Sequence, residues 1–209
     1  MSTGIQTVRS LAYSSRFGVF GILVGPRGFT CVRGQSSVSS QRMLTAKEVC
    51  KLLKLEPLVA EGGFFAETYR SAHRLPKGAL SNCYPGERSQ STAIYYLLTP
   101  ETFSAMHRLR GDEVYHFYLG DPVEMLKLKP DGSAEALLLG QDIGGGMRLQ
   151  QVVCGGTWQG LRLAPGGSFA LMGTTMAPGF DPADFELGRR EELSAAYPAY
   201  APLIAMLTR

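Results

Sequence analysis

The chain of 209 residues is poor in the residues that staple small folds or hold metals: four cysteines, three histidines and a single tryptophan. Cys31, Cys50, Cys83 and Cys154 form no Cys-x-x-Cys pair. That spacing argues against a zinc ribbon or a disulfide framework and suits a reducing compartment. Long apolar runs are missing too. Phe17–Val24 is short and interrupted by glycines, far below the ~20 residues of a membrane-spanning helix, so no membrane association is expected. No internal repeat and no phosphate-binding loop is present, since the glycine pairs lack a strand-loop-helix context.

Acids are absent from the first 42 residues, which carry five arginines; the first acid is Glu48. Five of the 21 bases lie there, so residues 43–209 hold 16 bases against 18 acids, a net charge of −2 hidden beneath the overall +3. A mildly acidic body offers no electrostatic reason to bind nucleic acid. The arginine- and serine-rich segment with interleaved apolar residues suits an organellar presequence, mitochondrial before plastid. Residues 1–42 are therefore expected to be a disordered targeting leader, with a secretory signal centred on Phe17–Val24 or a disordered cytosolic tail as the alternatives, and residues 43–209 one folded domain.

What is abundant is glycine (25) and proline (12), together with short β-branched and aromatic runs. Thr45-Ala46-Lys47-Glu48 is a capping box, predicting a helix of about eleven residues with Val49, Leu52, Leu53 and Leu55 as its apolar stripe, stopped at Pro57. Strand signals follow at Phe64–Arg70, Thr92–Leu98, Glu113–Leu119, Val123–Leu128, Glu135–Leu139, Leu149–Val153, Thr157–Leu163 and Ser168–Thr175, with Pro130-Asp131-Gly132 and Pro165-Gly166-Gly167 as turns. Eight short strands about ten residues apart read as an antiparallel sandwich or barrel. Arg190–Ala196 and Pro202–Leu207 are weakly helical and are expected to pack outside it.

The chemistry concentrates in His107-Arg108-Leu109-Arg110-Gly111-Asp112-Glu113-Val114-Tyr115-His116-Phe117-Tyr118-Leu119-Gly120. Imidazole and carboxylate groups so close can hold a metal or move a proton. Strand alternation puts Glu113, Tyr115, Phe117 and Leu119 on one face and His116 on the other, so Glu113 and His116 share a site only if a bulge re-aims one of them. His107, Glu113 and His116 are the catalytic candidates. Glu67, Tyr69, Tyr95, Tyr115, Trp158 and Gln159 are the candidates for substrate contact, the aromatics as a wall for a sugar or ring. Phe180–Glu186 either closes the barrel mouth or caps its edge, and His73 belongs to a solvated loop.

His107, Glu113 and Gly120 are spaced as in the first motif of the cupin superfamily, with Leu109 at its second histidine. The second motif corresponds to Cys154-Gly155-Gly156-Thr157-Trp158-Gln159, with Gln159 at the third histidine. Together with Glu61-Gly62-Gly63-Phe64-Phe65-Ala66-Glu67-Thr68-Tyr69-Arg70, Ser91-Thr92-Ala93-Ile94-Tyr95 and Ala177-Pro178-Gly179-Phe180-Asp181…Asp184-Phe185-Glu186, the chain resembles cupin family 5 (domain of unknown function 985) of the RmlC-like cupins, from about Leu44 to Leu207. Val59-Ala60 stands where relatives have His-Pro, and Ala66 where they have a basic residue. The resemblance implies an all-β fold, a double-stranded β-helix or jelly-roll barrel with short flanking helices, a deep cavity, frequent dimerisation and no agreed reaction. Full cupin metal sites use three histidines and a glutamate. With His107, Glu113 and Gln159 in those places, at most a weakly bound divalent metal is expected. The functional expectation is an isomerase or epimerase of a small sugar-like or carbonyl metabolite, with His107 and Glu113 carrying protons; the alternatives are a non-catalytic small-molecule binder and a metal-dependent oxygenase or lyase. A homodimer is expected, because barrel edges are often covered by a neighbour's strand.

Overall fold

The computed structural model describes the backbone of residues 12–15, 18–25 and 28–33 and all of residues 44–209. The chain divides into two units, residues 1–43 and 44–209. In the first, Ala12–Ser15 (β1), Gly18–Gly25 (β2) and Gly28–Arg33 (β3) pair as an antiparallel meander. The expected leader over residues 1–42 otherwise lies outside the described residues.

The second unit opens with the helix Ala46–Leu53 (α1), three residues shorter than the sequence suggests. The capping box forms: Thr45 Oγ1 accepts from the Glu48 amide at 3.3 Å, and Glu48 Oε2 accepts from the Thr45 amide at 3.0 Å. Lys54 ends the helix in the left-handed region, which is why it stops before Pro57. Val49 is buried, whereas Leu52 is exposed and does not belong to the packing stripe.

Strands Glu56–Pro57 (β4), Phe64–Arg70 (β5), Arg74–Leu75 (β6), Arg88–Ser89 (β7), Thr92–Leu98 (β8), Phe103–Leu109 (β9), Glu113–Gly120 (β10), Val123–Leu128 (β11), Ala134–Leu139 (β12), Gln150–Val153 (β13), Trp158–Leu163 (β14), Ala170–Met176 (β15) and Phe185–Leu187 (β16) follow. A six-stranded sheet runs β13-β10-β15-β8-β5-β4 and a five-stranded sheet runs β12-β11-β14-β9-β16, while β6 and β7 make a separate ribbon. All strand pairs in these sheets are antiparallel. Consecutive strands alternate between the sheets often enough to roll the chain into a jelly roll.

The two inner faces meet in one core. Tyr96, Leu98, Tyr115, Phe117 and Met172 of the larger sheet pack against Val123, Met125, Leu139, Leu161 and Leu163 of the smaller. Each is an alternate residue of its strand, as a half-buried sheet requires. The outer face of the smaller sheet is covered by Arg190–Ala196 (α2) and Ala201–Met206 (α3), with Leu193, Ile204 and Leu207 against Met106, Leu126 and Leu128. Helix α1 covers part of the other outer face through Val49, Leu97 and Leu171. The rest of that face, including Tyr118 and Val152, is open.

Candidate functional site

The barrel encloses a cavity of about 350 Å³, at the lower end of the ~300–1,000 Å³ of ordinary small-molecule pockets. Its walls are mostly apolar, with a few polar and charged side chains among them, Glu61, Glu67, Arg70, His107 and Glu113. Glu113 opens β10 and faces inward, paired in register with Met176 of β15 and Val153 of β13. His107 lies on β9 opposite Gln159 of β14. Two sheets thus supply one carboxylate, one imidazole and one amide to the same interior point.

The contacts fix the roles of these groups. Gln159 Nε2 donates to Glu113 Oε2 at 2.6 Å and to His107 Nε2 at 3.2 Å. His107 Nδ1 lies 2.8 Å from the Ala105 carbonyl, which only accepts, so the Nδ1 proton is donated there. His107 is therefore the neutral Nδ1–H tautomer, with the Nε2 lone pair accepting from the Gln159 amide. The Gln159 amide spends both donors, and its Oε1 is buried without a hydrogen-bond partner. Such an orphaned acceptor normally costs about 1–3 kcal/mol. Phe185 of β16 stacks on the imidazole, ring centres 5.2 Å apart, and shields it from the mouth.

A second carboxylate joins them. Glu61 lines the cavity, accepts from Ser104 Oγ at 2.5 Å, and places Oε2 4.0 Å from His107 Nε2. Its position depends on the two glycines that follow. Gly62 has φ +113°, and a Cβ there would collide with the Phe103 carbonyl, so only glycine lets the loop lie this close to β9. The loop is tied down by Tyr96 Oη donating to the Gly62 carbonyl at 2.9 Å and by the Ala105 amide donating to the Glu61 carbonyl at 2.9 Å. Ser104 and His107 both reach the interior although they are three residues apart. The register of β9 against β14 slips between them, and a bulge of this kind turns an odd spacing into a shared face.

Burial pushes the Glu113 carboxyl above its ordinary value, opposed first by the neighbouring His107 and then by hydrogen bonds from Thr174 and Gln159, while the charge of Glu61 adds to the rise. Burial likewise raises the phenols of Tyr96 and Tyr115 well above theirs, so both remain protonated donors. The site thus sets acidic groups biased toward holding their protons beside the His107 imidazole.

Of the residues expected from sequence, His107, Glu113, Gln159 and Tyr115 converge here, and Glu67 lines the cavity nearer its mouth, paired with Arg70 at 2.6 Å. Four do not. His116 faces out of the barrel, where its Nε2 donates to Thr175 Oγ1 (3.2 Å) and its Nδ1 accepts from Gln150 Nε2 (3.1 Å); no bulge re-aims it before Phe117. Tyr95 lies on that same outer face, edge-on to Tyr118. Tyr69 is turned to solvent because β5 slips register between Glu67 and Tyr69. Trp158 alternates with Gln159 and so faces the other way, packed in the cluster under the C-terminal helices with the Arg108 guanidinium 4.5 Å above its ring.

Sequence reasoning missed Glu61 as a site residue, along with Ser104, Thr174 and Arg70. Glu61 sits in a loop where no periodicity aims a side chain, and its only signal was the Gly-Gly that follows it. The segment Phe180–Glu186 does form a wall of the cavity, through Phe180, Pro182 and Phe185. It is pinned by a buried ion pair: Arg88 Nε and Nη2 each lie 2.6 Å from the Asp184 carboxylate.

A metal of the cupin type does not suit this donor set. No group of three or more His, Cys, Asp or Glu able to hold a metal ion occurs among the described residues. His107 Nε2 is hydrogen-bonded to an amide N–H, and Gln159 presents to its neighbours a nitrogen without a lone pair. His107, Glu113 and Gln159 are together, but as a hydrogen-bonded chain.

Comparison with known proteins agrees with the fold. The family model described as Cupin superfamily (DUF985) matches residues 47–188. The chain belongs to this cupin family. It is 31% identical over 140 residues to an uncharacterized protein of Saccharomyces cerevisiae, covering 63% of this chain and 70% of the yeast protein. Among solved structures it is similar to a hypothetical protein from Leishmania major (30% identity, TM-score 0.71, 79% of this chain and 99% of that one). It is also similar to a protein from Shewanella oneidensis (34% identity, TM-score 0.69, 80% of this chain and 99% of that one). None of these names carries an activity.

Proposed function

We propose that this cupin is a proton-transfer enzyme of the isomerase or epimerase class, acting on a small carbonyl or sugar-like metabolite held in the barrel. The observation that carries the reading is the convergence of His107 and Glu113, joined through Gln159, on a mostly apolar cavity. Isomerising a carbonyl compound needs a base at the adjacent carbon and a donor at the oxygen. His107 Nε2 carries the lone pair, and Glu61, 4.0 Å away, stabilises the imidazolium that forms. Glu113, whose carboxyl is pushed by burial toward holding its proton, serves as the donor. The apolar wall and the Phe180–Glu186 segment limit water, which strengthens each of these interactions.

The test is uptake of deuterium from D2O next to the carbonyl, followed by NMR across a panel of aldoses, ketoses and 2-oxo compounds. His107→Ala and Glu113→Gln are expected to abolish exchange with the fold intact. Full exchange in both variants would end the proposal, as would no exchange with any compound. One feature favours a second reading, a non-catalytic binder: His107 Nε2 already accepts a hydrogen bond from Gln159. Saturable ligand binding without exchange would select that reading.

Two further proposals concern the whole molecule. The open part of the outer face of the six-stranded sheet, with Tyr118, Leu119 and Val152 exposed, supports a homodimer formed through that face. The arginine-rich, acid-free residues 1–42 support import into an organelle, mitochondrion before plastid; the location of a fluorescent fusion with and without that segment tests it. No helix among the described residues is long and apolar enough to cross a membrane.

A further inference from the structure

We infer that the cavity takes a small organic cation: a protonated amine carried on an apolar body about the size of one ring. The inference rests on the cavity being a ligand site, as proposed above, and adds the chemical class of the ligand. The first observation is a charge imbalance. Glu61, Glu67 and Glu113 line the cavity, and among the described residues the guanidinium of Arg70 is the one fixed positive charge lining it. Arg70 is already committed: it holds both Glu67 oxygens, at 2.9 and 2.6 Å, and donates to the Phe180 carbonyl at 3.1 Å. His107 supplies no resident charge, because its Nδ1–H goes to Ala105 and its Nε2 accepts from Gln159. Glu61 is left facing the cavity without a cation, in surroundings where burying an unpaired carboxylate is costly.

The second observation is the apolar part of the lining. Phe65, Phe180 and Phe185 line the cavity with Leu58 and Ile94. Aromatic faces attract an ammonium through their quadrupole, by about 0.5–2 kcal/mol each as water is excluded. The aliphatic groups pack well against an apolar body. A third observation is the Gln159 Oε1 acceptor, buried and unpartnered in the network that joins the two acids. An ammonium brings three donors to a site that is short of donors. The same features disfavour an anion, which would face the Glu61 carboxylate without a free base. They also disfavour a divalent metal, whose ligands would have to include the nitrogen now bonded to Gln159.

The experiment uses the full-length protein, treated with EDTA and dialysed, titrated at pH 7 with three probes of one shape: benzylammonium, benzyl alcohol and benzoate. Binding is read by calorimetry and by chemical-shift changes. Benzylammonium is expected to bind at least tenfold more tightly than benzyl alcohol, with benzoate weakest. Glu61→Gln is expected to remove that advantage while leaving the affinity for the alcohol within about twofold. Equal binding of alcohol and ammonium would overturn the cation inference and leave the cavity as a ligand site; tighter binding of benzoate would do the same. Failure of all three probes to perturb cavity resonances would overturn both readings. Zn²⁺ displacing benzylammonium at micromolar concentration would put a metal in its place. The comparison of the three probes on the unaltered protein decides the matter even if Glu61→Gln does not fold.

Discussion

Replacing Arg88 by alanine isolates the device that holds the cavity wall. The Arg88 guanidinium grips the Asp184 carboxylate through two bonds of 2.6 Å, with the two side chains 4% and 2% exposed. It also lies over the Tyr84 ring, 5.6 Å from its centre. Removing one partner of a buried pair strands the other charge, which costs about 3–5 kcal/mol. Arg110 softens the loss, since its Nε lies 3.3 Å from the same carboxylate, but that side chain is 45% exposed and is a weak substitute. The lower bound, about 3 kcal/mol, is therefore expected. For a domain of this size it corresponds to a fall in Tm of roughly 6–12 °C. The assay is thermal and urea unfolding of the single variants Arg88→Ala and Asp184→Ala and of the double variant Arg88→Met/Asp184→Leu. Because an apolar pair of similar volume needs no desolvation, the double variant is expected to recover most of the loss. Asp184 adjoins Phe185, which stacks on His107, so Arg88→Ala is also expected to weaken ligand binding. A Tm change below about 3 °C, or a double variant as unstable as the singles, would refute the reasoning.

Glu113→Gln tests the buried carboxyl through pH. A carboxyl whose folded-state value is raised contributes stability that is complete below the unfolded value, near 4.5, and is lost as pH rises through the folded value. The variant is expected to lack this decline and to melt above the parent protein at pH 7 and close to it at pH 4; equal melting at both would show that the carboxyl is not buried in its charged form. Gly62→Ala is expected to cost about 1–3 kcal/mol from the positive φ alone and to shift Glu61, lowering ligand affinity; an unchanged urea midpoint would contradict the tight approach to Phe103. Val152→Lys, on the open sheet face, is expected to give a monomer in sedimentation if that face pairs two copies. A parent protein already monomeric at micromolar concentration would remove the dimer proposal.

How far the sequence disclosed this architecture depended on whether a strand had one wet face. The alternation in Glu113–Leu119 placed Glu113, Tyr115 and Phe117 inside, as found, up to the register slip between Phe117 and Leu119 that turns Leu119 out. Phe103–Leu109 went unread as a strand. Its inner face meets the cavity and its outer face meets the C-terminal helices, so both are buried and no period of two survives. His107 was singled out from its motif position, while the bulge that aims it inward left no mark in the residues. Trp158 and Gln159 could not both have faced one cavity, being neighbours on a strand, and the amide is the one that does. Glu61 was hidden because a loop residue is aimed by tertiary contacts, here the close passage of Gly62 over β9.

The neutral His107, bonded through Nδ1–H to Ala105 and accepting at Nε2 from the amide that also holds Glu113, underlies both the proton chemistry and the cation site. Long-range ¹H–¹⁵N correlation NMR of the imidazole at pH 7 reads this directly. The expected pattern is a protonated Nδ1 with a bare Nε2, collapsing in Gln159→Leu and shifting on addition of benzylammonium. An Nε2–H tautomer, or a ring protonated at both nitrogens in the free protein, would contradict it.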